Sequence, residues 1–589
     1  MRIATMVLLL GMVINLTFAQ GPETKHLYVV PLNGTEVTVD GEVDDWADAD
    51  FVYISQDGPN HSFFLSGEDA LESPADFSVH VAMKMDDDHL YFALHARDEG
   101  GVMIHDLYTP ENAGTMWQKD HFAAYLGLYD IDTLTHSPHT NIVNIIDPNT
   151  GEALQSGRTY RIKPGVDDDP DEATLGPDYQ MGTPIQPYGT TLDNGAFYAS
   201  GADVVNYNWG YVDTLIANTE LAIKLWDDQN GYTMEWKVPF ASLAGQIARP
   251  SKPQSGIEWP LFVPEDGAVF PFDFNITDID VPNATDNNWL NYGQGSSLWR
   301  DSYSFQGRAI IRDASMIEKS NYYFTQWAPT QNITIDGEIA DWDTTHGAQF
   351  IGISMDSPNR GFYEGGDVTD SPADFSGYYG MRIDTDNLYL AAHIRDNDGV
   401  MIHDLYTIEN AGAMWQKDHF AAYFGLYDIE DRPHSPHVNI VNILHPDSGT
   451  VLQSGRTYRI KPGTDDDPEE ATLGADYQMG VPIQPTNTTL DNGAFYAMGE
   501  DVVNYNWGYV DTSTANTELA IKLWPDEDGY TLEWKVPLAS LAGPIARESK
   551  PQSIIEWPLY TPQDGDVFPF DVDLTDEDRP NETAANFLR

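Results

Sequence analysis

The sequence predicts an all-β fold, two tandem β-sandwich (jelly-roll-like) domains, and three observations carry that prediction. Short segments alternate apolar and polar residues with a period of two. Gly, Pro, Asn and Asp clusters punctuate them, as in Asp147-Pro148-Asn149-Thr150-Gly151 and Asp227-Asp228-Gln229-Asn230-Gly231. The whole pattern then occurs a second time. Gly101-Val102-Met103-Ile104-His105 returns at Gly399, an offset of 298, and Trp117/Trp415, Arg158/Arg456, Asn206/Asn504 and Trp236/Trp534 keep that offset. Upstream, Asp40/Asp336 and Trp46/Trp342 differ by 296, which places a small length change between Val52 and Ser73. A repeat of this size is a duplicated domain, not a solenoid unit.

The first unit offers seven strand candidates: Val37–Val39, Leu90–Arg97, His121–Leu128, Asn141–Ile146, Glu220–Trp226, Tyr232–Val238 and Ala309–Arg312. In His121–Leu128 the residues Phe122, Ala124, Leu126 and Leu128 share one face, and His121, Ala123 and Tyr125 the other. In Tyr232–Val238 the apolar set is Tyr232, Met234, Trp236 and Val238, which places Trp236 in a core; Trp46 reads the same way. Ser242–Ile247 suits one short helical turn. The stretch Gly157–Asn218 has few clean strands and many aromatics, and reads as elaborated loops over one end of the sandwich.

Domain organisation follows. Residues 1–19 read as a signal peptide, with Arg2 as the basic region, Met6–Leu16 as the apolar region and Thr17-Phe18-Ala19 as the cleavage site. Domain 1 spans 26–313, a linker 314–327, and domain 2 328–589. Domain 2 lacks the counterpart of Gly307–Asp313 and is expected to be short of its last strand. The reading is an exported protein, extracellular or periplasmic, with no lipid-anchoring Cys and no later segment able to span a bilayer.

Composition excludes some partners. The 589 residues hold 93 acids against 30 bases, a net charge of −63. Such a surface repels nucleic acid and anionic membranes, which attract Lys and Arg. There is no Cys, hence no disulfide, no thiolate metal site and no Cys-x-x-Cys-His haem attachment. No Gly-x-Ser-x-Gly, His-Glu-x-x-His or phosphate loop occurs. With so many acids, a catalytic carboxylate pair cannot be picked out.

Four stretches resemble the family 9 carbohydrate-binding modules, DOMON-like sandwiches. They are Val39-Asp40-Gly41-Glu42-Val43-Asp44-Asp45-Trp46, Asp86-Asp87-Asp88-His89-Leu90-Tyr91, the Trp117-x-x-Asp120 strand, and Gly231–Pro239 followed by Phe272–Asp278. All four recur in the second unit. A fifth, Trp299-Arg300-Asp301 through Phe305-Gln306-Gly307, occurs once. The resemblance implies a sandwich that holds a polysaccharide or oligosaccharide between two Trp rings, since a flat aromatic matches the apolar face of a pyranose. By position the rings are Trp117 and Trp299, with Trp415 matching Trp117 in the second unit. The family's sugar-binding carboxylate position holds Ala123 and Ala421 here, and its basic residue in the next strand falls at Ile142 or a neighbour. Asn144 and Asn442 are the amides that remain to hydrogen-bond a sugar.

The resulting expectation is a non-catalytic carbohydrate-binding protein whose paired modules gain avidity on a polymer. Three alternatives stand beside it. One is the binding portion of a larger glycoside hydrolase or xylanase in carbohydrate catabolism. Another is a haem- or metal-carrying electron-transfer sandwich, suggested by Met103-Ile104-His105 and by His121, His136 and His139. The third is a structural surface protein. Ca²⁺ is a possible ligand of Asp86–Asp88, Asp167–Asp169 and Asp465–Asp467, although a solvated Asp turn is the simpler reading. No metal site is otherwise expected.

Overall fold

The computed structural model describes the strands and turns of both repeats. Residues 1–24, 103–119, 134–143, 186–195, 201–209, 213–218, 244–260, 294–306 and 312–325 lie outside the described residues. So do 65–72, 162–173, 281–287, 364–370, 401–417, 429–441, 460–471, 484–493, 499–507, 511–516, 543–558 and 578–585, with several stretches of six residues or fewer.

In the first repeat fourteen strands frame the site: β1 Lys25–Pro31, β2 Val52–Ser55, β3 Ser62–Phe64, β4 Phe77–Met85, β5 His89–Asp98, β6 His121–Leu126, β7 Tyr179–Pro184, β8 Ala196–Ser200, β9 Gly210–Val212, β10 Glu220–Leu225, β11 Gly231–Pro239, β12 Val269–Asp278, β13 Asn288–Asn291 and β14 Gly307–Ile311. One layer runs β9-β8-β7-β6-β12-β14, with β13 and then β3 on the other half of the β12 edge. The other runs β4-β5-β11-β10, with β2 on β4. Strand β1 joins the layers. Lys25–Val29 pairs with β14 and Val30–Pro31 with β4, both in parallel.

The second repeat continues with β15 Gln326–Trp327, β16 Phe350–Ser354, β17 Phe362–Tyr363, β18 Phe375–Ile383, β19 Asn387–Asp396, β20 His419–Phe424, β21 Tyr477–Pro482, β22 Ala494–Met498, β23 Gly508–Val510, β24 Glu518–Leu523, β25 Gly529–Pro537, β26 Phe570–Asp576 and β27 Asn586–Leu588. Its layers are β15-β18-β19-β25-β24 with β16, and β17-β27-β26-β20-β21-β22-β23. Among the described residues, no strand takes the place beside β26 that β14 holds beside β12. The fold is therefore all-β, with stacked antiparallel sheets in each repeat.

Between the layers the alternating residues meet. Phe92, Phe122, Trp236, Phe272 and Phe274 are fully buried in the first repeat, as are Leu390, Phe420, Trp534 and Leu574 in the second. Trp46 is buried as well, but behind β5, in a cluster with Phe51, Ala82 and Tyr91.

Val37–Val39, read as a strand, is not one. Its backbone is held by side chains: Thr38 N donates to Asp45 Oδ2 at 2.7 Å, and Asp40 N and Gly41 N both donate to Glu235 Oε2 at 2.8 Å. Glu235 Oε1 also accepts the Trp46 indole N–H at 2.8 Å. Gly41 has φ +87°, and a Cβ there would press on Lys224. The Val39–Trp46 motif is thus a turn pinned to the outside of β11, and Glu533 repeats the arrangement with Asp336, Gly337 and Trp342.

The two repeats face each other across β2 and β16. Tyr53 stacks on Tyr378 with centroids 5.4 Å apart, Ser55 Oγ lies 2.8 Å from the Tyr378 hydroxyl, and His80 lies 2.9 Å from Ser357 Oγ. Near this seam His95 and His393 pack on Trp226 and Trp524, and burial lowers each imidazole to about 4. A pKa held below its unfolded value means that the unfolded chain takes up protons first. This stability is present above about 6.5 and is lost as pH falls through about 4. The double variant His95→Phe/His393→Phe should lose less stability between pH 7 and pH 5 than the parent, by about 1–2 kcal/mol per site. Denaturant titrations at the two pH values measure this, and equal losses in both proteins would refute it.

Candidate functional site

Strand β6 carries two faces, as its sequence indicated. Phe122, Ala124 and Leu126 enter the core, and His121, Ala123 and Tyr125 point away from it. The strands on either side decide what Ala123 meets. Opposite it stand Gly182 of β7 and Asn275 of β12. Tyr125 lies between Gln180 and Asp273, and His121 between Pro184 and Thr277.

A small-residue floor, Gly182 and Ala123, is therefore bordered by amides, a carboxylate and a phenol. Asn275 Nδ2 donates to Asn291 Oδ1 at 2.8 Å. Asp273 Oδ1 accepts Phe274 N and Gly293 N at 2.9 Å. Gly293 is required there, because a Cβ would come within 2.5 Å of Asp273 Oδ2. Asp273, Asn275, Thr277 and Asn291 are all buried. The second repeat keeps Ala421, Gly480, Tyr423 and Asp571 but changes the amides, with Arg589 in the sequence position of Asn291. Ala421 lies between Gly480 and Asp573, so an acid replaces the Asn275 amide.

Trp117, Trp299 and Trp415 lie outside the described residues, as do His105, His136, His139, Asp167–Asp169 and Asp465–Asp467. What is described is where their segments attach. Trp117 precedes His121 by four residues, and residues 294–306, which carry Trp299, follow Gly293 directly. The described residues that flank them, His121 and Gly293, lie at the polar face.

The strand that follows β6 in sequence does not pair with it. Asn144–Ile146 pairs with Ala153–Ser156 in a separate hairpin, and Asn442–Leu444 pairs with Val451–Ser454 likewise, so neither borders the Trp-x-x-Asp strand. That place belongs to β7 and β21. An insertion between β6 and β7 supplies the hairpin, and sequence order hides it. The strand opposite Ala123 in β12 brings the Asn275 amide, which is bonded to Asn291. The Asp-Phe-Asn alternation of β12 was the available signal.

The proposed Ca²⁺ turn at Asp86 has another use. Its carboxylate accepts Asp88 N, His89 N and the Tyr91 hydroxyl at 2.7–2.8 Å, and Asp384 accepts Asp386 N, Asn387 N and the Tyr389 hydroxyl at 2.6–2.8 Å. These bonds hold its pKa below the ordinary carboxylate value although burial opposes them.

A different set of acids converges. Asp98 ends β5, Asp120 enters β6 and Asp278 ends β12, and one oxygen from each lies within 4.8 Å of the others, all buried. Asp396, Asp418 and Asp576 repeat the set. Asp98 Oδ1 accepts Gly101 N and Asp120 Oδ1 accepts Ile279 N, each at 2.9 Å. Neither Asp278 oxygen meets hydrogen-bond geometry, although the Asn288 side chain is near enough to favour its charge slightly.

Like charges at this spacing repel by about 3 kcal/mol per pair at an effective dielectric of ~20. Burial, reinforced by Asp280, accordingly pushes Asp98 up to about 7, and burial with Asp98 pushes Asp278 well above the carboxylate range. The adjacent Arg97 does not relieve them; its guanidinium is held by Asp356 and Glu99.

No family model and no curated protein matches the chain. Solved structures do. A family 9 carbohydrate-binding module from Caldicellulosiruptor kristjanssonii, in complex with cellotriose, is similar with a TM-score of 0.25 and 14% identity, over 50% of this chain and 98% of that one. A second such structure, with glucose, gives 0.26 and 16%, over 50% and 99%. A Bacteroides uniformis protein provisionally described as carbohydrate-binding gives 0.27 and 9%, over 49% and 99%. Each is a resemblance in fold at low identity. No helix among the described residues is long and apolar enough to cross a membrane.

Proposed function

We propose that the chain is a secreted carbohydrate-binding protein with two duplicated, non-catalytic modules that grip a polysaccharide by aromatic stacking. The observation that carries the reading is the polar floor around Ala123. Its centre is the small pair Gly182 and Ala123, and its rim of Asn275, Asn291, Asp273 and Tyr125 carries donors and acceptors of the kind that suit hydroxyls. The Trp117 and Trp299 segments start from that face, so both stacking residues have a short tether to it. Trp415 has the same tether at Ala421. Domain bounds of 26–313 and 328–589 with a linker at 314–327 belong to this proposal, as do the signal peptide at 1–19 and an extracellular or periplasmic location; strand β15, Gln326–Trp327, falls within that linker and pairs with β18 of the second repeat.

The difference at Asn275/Asp573 makes the modules unequal. An amide both donates and accepts, whereas a carboxylate only accepts, so the two modules should rank sugars differently.

A glycan array probed with the parent and with Trp117→Ala, Trp299→Ala and Trp415→Ala tests the reading. Loss of each ring should weaken binding at least tenfold, because a stacked aromatic contributes about 1.5 kcal/mol or more. If all three variants bind like the parent, aromatic stacking fails as the mechanism.

A further inference from the structure

We infer that one copy of this chain bridges two separate polysaccharide molecules, because the seam between the repeats turns the polar faces at Ala123 and Ala421 to opposite sides of the protein. This rests on the glycan-binding reading above and adds how the two modules share their substrate. It follows from which face of each sheet the seam uses. In the first repeat the sheet that carries Ala123 turns its other face to the core. There Phe122 and Phe274 meet Phe92 of β5, with ring centroids 5.7 and 6.3 Å apart. Strand β5 alternates in its turn. Phe92, Leu94 and Ala96 enter that core, and Arg97 leaves on the far side to hold Asp356 of the second repeat. In β4, Val79 and Val81 enter the core, while His80 reaches Ser357 of the second repeat at 2.9 Å. The seam therefore takes the outer face of the sheet that lies behind the Ala123 sheet.

The second repeat does the same. Tyr379, Met381, Leu390, Ala392 and Ile394 of β18 and β19 share a core with Phe420 and Ala422 of β20. Tyr378 and Arg395 leave those two strands on the other side, where they meet Tyr53, Ser55 and Asp57 of the first repeat. Tyr53 joins Trp342, Phe350 and Tyr378 in one buried cluster, so the seam has an apolar centre of its own.

The order through the molecule is thus the Ala123 sheet, the β4–β5 sheet, the β18–β19 sheet and the Ala421 sheet. Packed sheets lie about 10 Å apart, which puts the two outer sheets about 30 Å from each other. Ala123 and Ala421 stand on the faces of those outer sheets that look away from one another. The Arg97–Asp356 and Arg395–Asp57 pairs hold this order from both sides. A second module adds avidity only where both sites reach one polymer molecule, and is without that effect where geometry forbids it. Here a polymer lying on one face is turned away from the other. Duplication by itself suggests avidity on a single polymer; the seam suits the modules to holding two polymers together.

Beads coated with xylan, glucan, mannan or galactan test the inference. Each is loaded with the full chain, washed, and offered the same polysaccharide in soluble, fluorescent form. On every bead that takes up the protein, the soluble polymer should be retained above the level of protein-free beads. Trp117→Ala and Trp415→Ala each silence one face, so these variants should stay on the beads, which also reports that they are folded, and retention should fall to background. Retention undiminished in either variant would mean that neighbouring copies do the bridging, and would overturn the inference. So would a parent that loads the beads and retains no soluble polymer, an outcome that leaves the glycan-binding reading standing. A parent that loads none of the four beads would sink that reading and the inference with it.

Discussion

Glu235→Ala is expected to destabilise the first repeat by about 3–5 kcal/mol, and Glu533→Ala the second by a similar amount. The reasoning is a count of orphaned donors. Glu235 takes the backbone N–H groups of Asp40 and Gly41 and the indole N–H of the fully buried Trp46. Glu533 takes those of Asp336, Gly337 and Trp342. A buried donor left without a partner costs about 1–3 kcal/mol, and the part-buried Asp40 N–H can recover water, which keeps the sum below the maximum.

Glu235→Gln should cost less. It keeps one acceptor oxygen and loses the other, so at least one donor is orphaned. The acid itself sits at about 7, since burial raises it while the three donors pull it down. A folded pKa above the unfolded 4.5 means its ionisation works against folding as pH rises towards 7. The neutral Gln should therefore show a smaller deficit at pH 8 than at pH 5. Urea unfolding of the three proteins reads these differences; a loss under 1 kcal/mol for Glu235→Ala would show that the turn is held by something else.

Legibility in the sequence followed locality. The β6 alternation was readable because each side chain's direction depends on its own strand, and Trp236 could be placed in the core for the same reason. Strand β4 escaped notice because it is buried on both faces. Phe77, Val79, Val81 and Met83 enter the core, while His80 is covered by Tyr53 of the neighbouring strand β2 and by Ser357 of the facing repeat. Val37–Val39 looked like a strand because its partners are side chains from residues 45 and 235, which no local pattern records. The acid triad was invisible for a related reason. Its members lie at 98, 120 and 278, and nothing in the spacing separates them from the other acids. Pairing of β6 with β7, across more than fifty residues of elaboration, had no local sign either.

The other large effect is expected at the seam between repeats. Arg97 grips Asp356 through Nε and Nη2, and Arg395 grips Asp57 in the same way, each Nη2 bond being 2.9 Å. The guanidinium groups lie over Trp226 and Trp524 at 5.3 and 5.1 Å. Such bidentate pairs fix geometry as well as charge. Asp356 is 13% exposed, so Arg97→Ala strands a largely buried carboxylate and should cost about 3 kcal/mol. Asp356→Ala should cost a comparable amount, and the double variant distinctly less than the sum, with a coupling of about 1–3 kcal/mol. The Arg395/Asp57 cycle should return the same values within error. Urea unfolding provides all of them, and additivity to within about 0.5 kcal/mol would mean that the pairs contribute nothing beyond their separate parts. The equality matters because it measures how symmetric the seam is. Each repeat supplies one Arg and one Asp, as in a two-fold interface between identical subunits. At the centre the symmetry breaks. Tyr53 is matched by Gly352, whose missing side chain admits the Tyr53 ring, and His80 is matched by Tyr378. Equal cycles around an unequal centre would mean that duplication kept the flanking grips and changed only the middle, where one ring fills the space that two would contest.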